Sequence, residues 1–175
     1  MKTNRLLLVS LLGLAAPLVG HAAAPAPADP RAEVAFFEPE KFTDVKDSYM
    51  SADVRRTTYL DQIRDHILDR SKNYIPAGWH LQVTITDVDM AGDFEPWRGP
   101  QFDDVRIIKD MYPPKIDLTF RLTDAEGNVV KEGKRTLRDT SFLMKITPYF
   151  NTDTMRHEKA LLDDWMAEEF PRQRK

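Results

Sequence analysis

The chain has 175 residues, with 25 Lys+Arg against 28 Asp+Glu, four His and no Cys. That length fits one domain, and the missing cysteines exclude disulfides, thiolate metal sites, a Cys nucleophile and a lipidated cysteine anchor. The near-neutral charge argues against a nucleic-acid binder held by phosphate contacts.

The N-terminus reads as an export signal. Lys2 and Arg5 give a short positive start, Leu6 to Gly20 is an apolar stretch of 15 residues, and small residues follow at Gly20, Ala22, Ala23 and Ala24. This is the order of a secretory signal peptide. A spanning helix needs about 20 apolar residues, and Pro17 interrupts this run. Residues 1–22 are therefore expected to be cleaved, with the bond open among Ala22–Ala24, and the protein to reside in the periplasm. Their removal takes away Lys2 and Arg5 but no acid, so the net charge moves from −3 to −5. The mature chain has no second apolar segment of spanning length, and is expected to be soluble.

Residues 23–32 form a Pro/Ala-rich spacer, and a single domain is expected over 33–171, with a basic tail at 172–175. Val34 to Phe37 is a short apolar run stopped by Pro39 and reads as a first strand. A helix follows, starting between Asp53 and Thr58 and ending near Tyr74. Leu60, Ile63, Ile67 and Tyr74 share one face, Thr58 with Asp61 resembles a capping box, and Pro76 and Gly78 end it. The period then changes to two: Leu81, Val83 and Ile85 alternate with Gln82, Thr84 and Thr86, a strand buried on one side. Residues 91–114 are a long Pro-rich segment with room for a short strand around Val105 to Ile108. Ile116, Leu118, Phe120 and Leu122 mark a further strand. The turn signal Asp124 to Asn128 and a return strand from Val129 to Arg138 complete a hairpin. Residues 139–152 form a loop with a Phe142-Leu143-Met144 anchor. The last helix spans about Thr154 to Phe170, with Met155, Leu161, Leu162, Trp165, Met166 and Phe170 as its core face.

The order β-α-β-(long loop)-β-β-α predicts an α+β two-layer sandwich: a small mixed sheet with two helices on one face and the other face open and polar. The helical crossover implies that the first two strands are parallel.

Four stretches, FEPEKFTDV (37–45), TDVDMAGDFEPWRGP (86–100), DVRIIKDMYPPKIDL (104–118) and EKALLDDW (158–165), together resemble an uncharacterised family of exported bacterial proteins carried as a domain of unknown function. The resemblance covers most of 34–170 and implies export and a single domain. The element order is also similar to small envelope-assembly modules, a likeness of fold that does not fix function.

The residues offer two sites. Phe94, Trp97, Arg98, Phe102 and Tyr112 lie on a proline-stiffened loop, the residue types and the stiffness that favour binding hot spots. They point to a non-catalytic accessory or binding module of the cell envelope, meeting an envelope protein through the 93–112 loop or the open sheet face. The alternative is a carboxylate- or metal-dependent hydrolase on Asp87, Asp89, Asp93 and Glu95. As a calcium loop that run fails: Ala91 stands at the fifth position and Arg98 at the twelfth, where oxygen ligands belong. The expected fate of these acids is pairing with Arg98 or Arg106. His157-Glu158 opens like a zinc-protease helix, but Leu161 stands where the second histidine is required. No serine lies in a nucleophile elbow, and the glycines form no phosphate-cradling loop. No metal, cofactor or nucleic-acid partner is expected.

Overall fold

The computed structural model describes residues 31–45, 52–103 and 105–172; the expected signal peptide at 1–22, residues 23–30 of the expected spacer and residues 173–175 of the tail lie outside the described residues. The chain is α+β. Strand β1 (Ala32–Phe36) leads through a 3-10 turn at Pro39–Lys41 and helix α1 (Ala52–Tyr74) to β2 (His80–Asp89). The long segment holds two short strands, β3 (Asp93–Phe94) and β4 (Arg106–Ile107), and β5 (Lys115–Thr123), β6 (Val129–Arg138) and α2 (Arg156–Glu169) follow. The main sheet has the order β1-β2-β5-β6, while β3 and β4 pair in a separate ribbon. β1 and β2 are parallel, as the helical crossover requires, and the other pairings are antiparallel.

Alternation decides which sheet face is covered. Leu81, Val83 and Ile85 of β2 stand opposite Leu122, Phe120 and Leu118 of β5, and all are buried. Tyr59, Leu60, Ile63 and Ile67 of α1 join this core, as do Leu161, Leu162, Trp165 and Met166 of α2. The opposite face carries Gln82, Thr84, Thr119 and Arg121, with Glu132 and Lys134 beside them on β6. Both helices therefore lie on one face, and the other is open and polar.

Two local readings change. α1 begins at Ala52, so Thr58 and Asp61 lie within the helix and do not cap it. The Phe142-Leu143-Met144 anchor is a 3-10 turn in which only Phe142 is buried, its ring edge-on to His157 at 4.7 Å; Leu143 is exposed and Met144 is 88% exposed. With three residues per 3-10 turn, three successive side chains diverge, and one alone meets the core. The basic residues of β6 divide between faces. Lys131 and Arg135 cross to the helix side, where both pair with Glu169 and Arg135 makes two parallel bonds to it, at 2.8 and 2.9 Å. Lys134 lies on the open face of this edge strand.

Candidate functional site

The site begins with a break in alternation. After Ile85 the β2 register shifts, Thr86 is the extra residue, and Val88 takes the next inward place opposite Ile116. Without that bulge Asp87 would point into the core. With it, Asp87 and Asp89 emerge on the open face, opposite Asp117 and Lys115. Arg138 follows on β6, so Asp89, Lys115 and Arg138 form one row across three strands. The segment 42–45 runs beside the end of β2, and Asp44 N donates to Val88 O at 3.0 Å.

At Met90 the chain leaves the sheet, and it rejoins at Lys115. Between them β3 and β4 form a ribbon whose tip consists of 3-10 turns at Pro96–Arg98 and Pro100–Phe102. The centre of this excursion is Glu95, 1% exposed. Its Oε1 accepts from Lys109 Nζ and, at 3.1 Å, from Tyr112 Oη. Its Oε2 faces Arg98 Nε at 2.7 Å. The Lys109 bond, joined by the Tyr112 bond and the charges of Lys109 and Arg98, outweighs burial and holds the carboxyl below its ordinary range. Burial, with the bond to Glu95, pushes the Tyr112 phenol up. The Arg98 guanidinium also lies over Phe102 at 5.9 Å, and that of Arg106 over Phe94 at 4.8 Å. Arg106 ties the root as well, donating to Asp44 at 2.8 Å and to Gly92 O at 2.9 Å.

Between the excursion and the sheet end lies a cleft of about 570 Å³. Asp89, Lys115 and Arg138 form its floor; Phe94, Pro96, Met111 and Tyr112 line the excursion side, and Thr43 and Asp44 close one end. Trp97, next to the lining, is 71% exposed, and Met111 is exposed as well.

The sequence-selected residues thus separate by role. Phe94, Arg98, Phe102 and Tyr112 are committed to bracing the excursion, and Trp97 is presented to solvent. The four acids do not form one group. Asp87 accepts from Thr43 N and Oγ1 at 2.7 and 2.9 Å, Asp93 accepts from Phe94 N at 2.7 Å, and Glu95 is the buried brace. Glu95 pairs with Arg98, whereas Arg106 goes to Asp44, an acid from outside the run. Among the described residues no three His, Asp or Glu are placed to hold a metal ion. Asp89 alone of the four faces the cleft without such a tie among the described residues, and burial with Asp44 and Asp87 nearby pushes its carboxyl up.

Sequence reasoning missed Asp44, Lys115 and Arg138. Lys115 has a visible signal, standing two residues before Asp117 on the polar face of its strand; the two meet at 2.7 Å. Asp44 and Arg138 come from distant segments and carry none.

Residues 30–168 match the family described as "Protein of unknown function (DUF3016)". The chain belongs to that family. No curated protein and no solved structure matches it. For this DUF3016 chain, therefore, the site's geometry carries the argument.

That geometry gives a first expectation. Glu95→Gln keeps the side chain's shape but removes the charge shared by Lys109 and Arg98. Amide exchange across 91–114 should accelerate strongly while the main sheet stays protected, because the sheet's core lies on the other face. Unchanged protection in 91–114 would deny Glu95 its bracing role.

Proposed function

We propose that this DUF3016 chain is an exported, periplasmic binding module of the cell envelope, non-catalytic, whose protein partner docks across the cleft between the 91–114 excursion and the open sheet face. The observation that carries this reading is Trp97: a large ring, 71% exposed, on a loop whose other aromatic rings, Phe94, Phe102 and Tyr112, are engaged with Arg106, Arg98 and Glu95. An exposed Trp on a pre-shaped loop loses little entropy on binding and buries a large area when covered. The loop and the sheet face, separate candidates in the sequence, meet at one cleft. Export is supported by Lys2, Arg5, the Leu6–Gly20 stretch and the small residues after it. No helix among the described residues is long and apolar enough to cross a membrane. The hydrolase alternative needs Asp87 and Glu95 free for metal or substrate, and both are held by other side chains.

The test is capture of partners from an envelope extract by the mature protein, wild type against Trp97→Ala. A central Trp anchor is worth about 2 kcal/mol or more, so Trp97→Ala should weaken capture about 30-fold, with the melting midpoint little changed because the residue is 71% exposed. Arg98→Ala is the poorer probe, since it also unbraces Glu95. Equal capture by both proteins would remove Trp97 from the interface.

A further inference from the structure

Glu158 has no place in the cleft wall, yet it holds the point from which the cleft's roof departs. It stands in the first turn of α2, 1% exposed. Oε1 accepts the Ala91 N–H at 2.7 Å, while Oε2 is buried and without a hydrogen-bond partner. Ala91 is the second residue after β2, at the root of the excursion. The next residue, Gly92, has φ +81° and sits so close to the return strand that a Cβ there would come within 2.7 Å of Ile107 O. Gly92 N in turn donates to Tyr112 O at 3.0 Å. The root is therefore clamped from three sides, by Glu158, by β4 and by the end of the return segment.

One of those clamps is titratable. An ionised carboxylate with one oxygen in a dry, unpartnered place is costly, and it gains by any movement that lets water in. The charged groups facing Glu158 do not cancel this cost. Arg106, from β4, favours the anion but is already shared with Asp44; Asp153, from the segment before α2, opposes it. Ala91 N–H and the Glu158 backbone N–H are the remaining favourable donors. Burial, with the Arg156 charge beside it, holds the imidazole of His157, its neighbour on α2, below its ordinary range, and Asp139 opposes them.

We propose that Glu158 is a proton-operated latch on the root of the 91–114 excursion, closed when the carboxyl is protonated and released when it is ionised. Burial pushes the Glu158 carboxyl above its ordinary 4.5, the anion-favouring contacts notwithstanding. The closed root thus binds the proton more tightly than an opened, hydrated one. Its full stability is present below that ordinary value and is lost as pH rises through the raised one. Acidification closes the root and alkalinisation loosens it. Only the consequence for partner binding rests on the cleft reading; the latch is a property of the free protein.

The experiment is amide exchange of the peptide spanning 88–95 in the mature protein, from pH 4.5 to 8.5, corrected for the intrinsic chemical rate. Between the carboxyl's ordinary value and its raised midpoint in the closed root, protection should fall by up to about tenfold per pH unit, the slope for one linked proton, and it should level off above that midpoint. Glu158→Gln keeps an oxygen for Ala91 N–H and cannot ionise, so its protection should be flat over the same range. A flat wild-type profile, or the wild-type slope retained in Glu158→Gln, overturns the latch. If that variant does not fold, the wild-type Glu158 carboxyl can be followed by carbon-13 shift. A midpoint matching the exchange profile supports the latch, and a mismatch overturns it. A latch that titrates as expected while Trp97→Ala still captures the partner would end the cleft reading and leave the latch in place.

Discussion

Trp165→Ala is expected to lower the stability of the domain by about 3–5 kcal/mol, the usual cost of deleting a large buried ring. Trp165 is 3% exposed on α2 and meets Phe120 of β5 edge-on at 5.8 Å and Phe170 at 5.7 Å; Phe120 and Phe170 are themselves 5.7 Å apart. This triangle of rings fastens the last helix to the middle of the sheet. Two helices cover the whole face, so no further layer can close over the void. The indole N–H is buried without an acceptor. Trp165→Phe removes that orphan donor along with part of the ring, and the relief of about 1–3 kcal/mol for an unsatisfied polar group offsets much of the lost contact. Urea unfolding should therefore place Trp165→Phe within about 1.5 kcal/mol of wild type and Trp165→Ala far below it, at similar m-values. Equal losses for the two variants would mean that ring volume at this position does not hold α2 to the sheet.

The same chain shows where local pattern is informative and where it stops. Leu81, Val83 and Ile85, and Ile116 through Leu122, could be read as strands because one face is buried and the side-chain period leaves a mark every second residue. The site itself begins where that mark fails. The step from Ile85 to Val88 is three residues, not two, and that irregularity is the bulge that turns Asp87 and Asp89 outward. It is visible in the sequence once the spacing is counted. Glu95 has no comparable signal. An acid between Phe94 and Pro96 reads as solvated or as a metal ligand, and its burial depends on Lys109 and Tyr112, 14 and 17 residues further on. Thr58 with Asp61 shows the opposite error, a local capping signal overruled because the helix continues upstream to Ala52. Phe94, Arg98, Phe102 and Tyr112 share one loop, where they hold one another and Glu95 and Arg106; Trp97 is the ring of that group left exposed.

Gly92→Ala separates the shape of the cleft from the residue that anchors a partner. The added Cβ would lie 2.6 Å from Ile108 Cδ1, a side-chain tip that can turn away, and 2.7 Å from Ile107 O, a backbone atom held in the β3–β4 ribbon. An alanine at φ +81° also carries the left-handed backbone cost of about 1–2 kcal/mol. With overpacking of similar size added, the root should be destabilised by about 2–4 kcal/mol. The core of the sheet and helices lies elsewhere, so the loss should fall on the excursion. Amide exchange across 91–114 should approach the rate of an open loop, while β2 and β5 keep their protection. In that variant Trp97 is intact but its support is gone. If a partner needs the ring held over the cleft, capture should fall as far as it does with Trp97→Ala, and combining the two substitutions should add little, because each removes the same interaction. If capture survives in Gly92→Ala while the excursion is unprotected, Trp97 acts as a sticky residue on a free loop and the cleft is not its partner's seat.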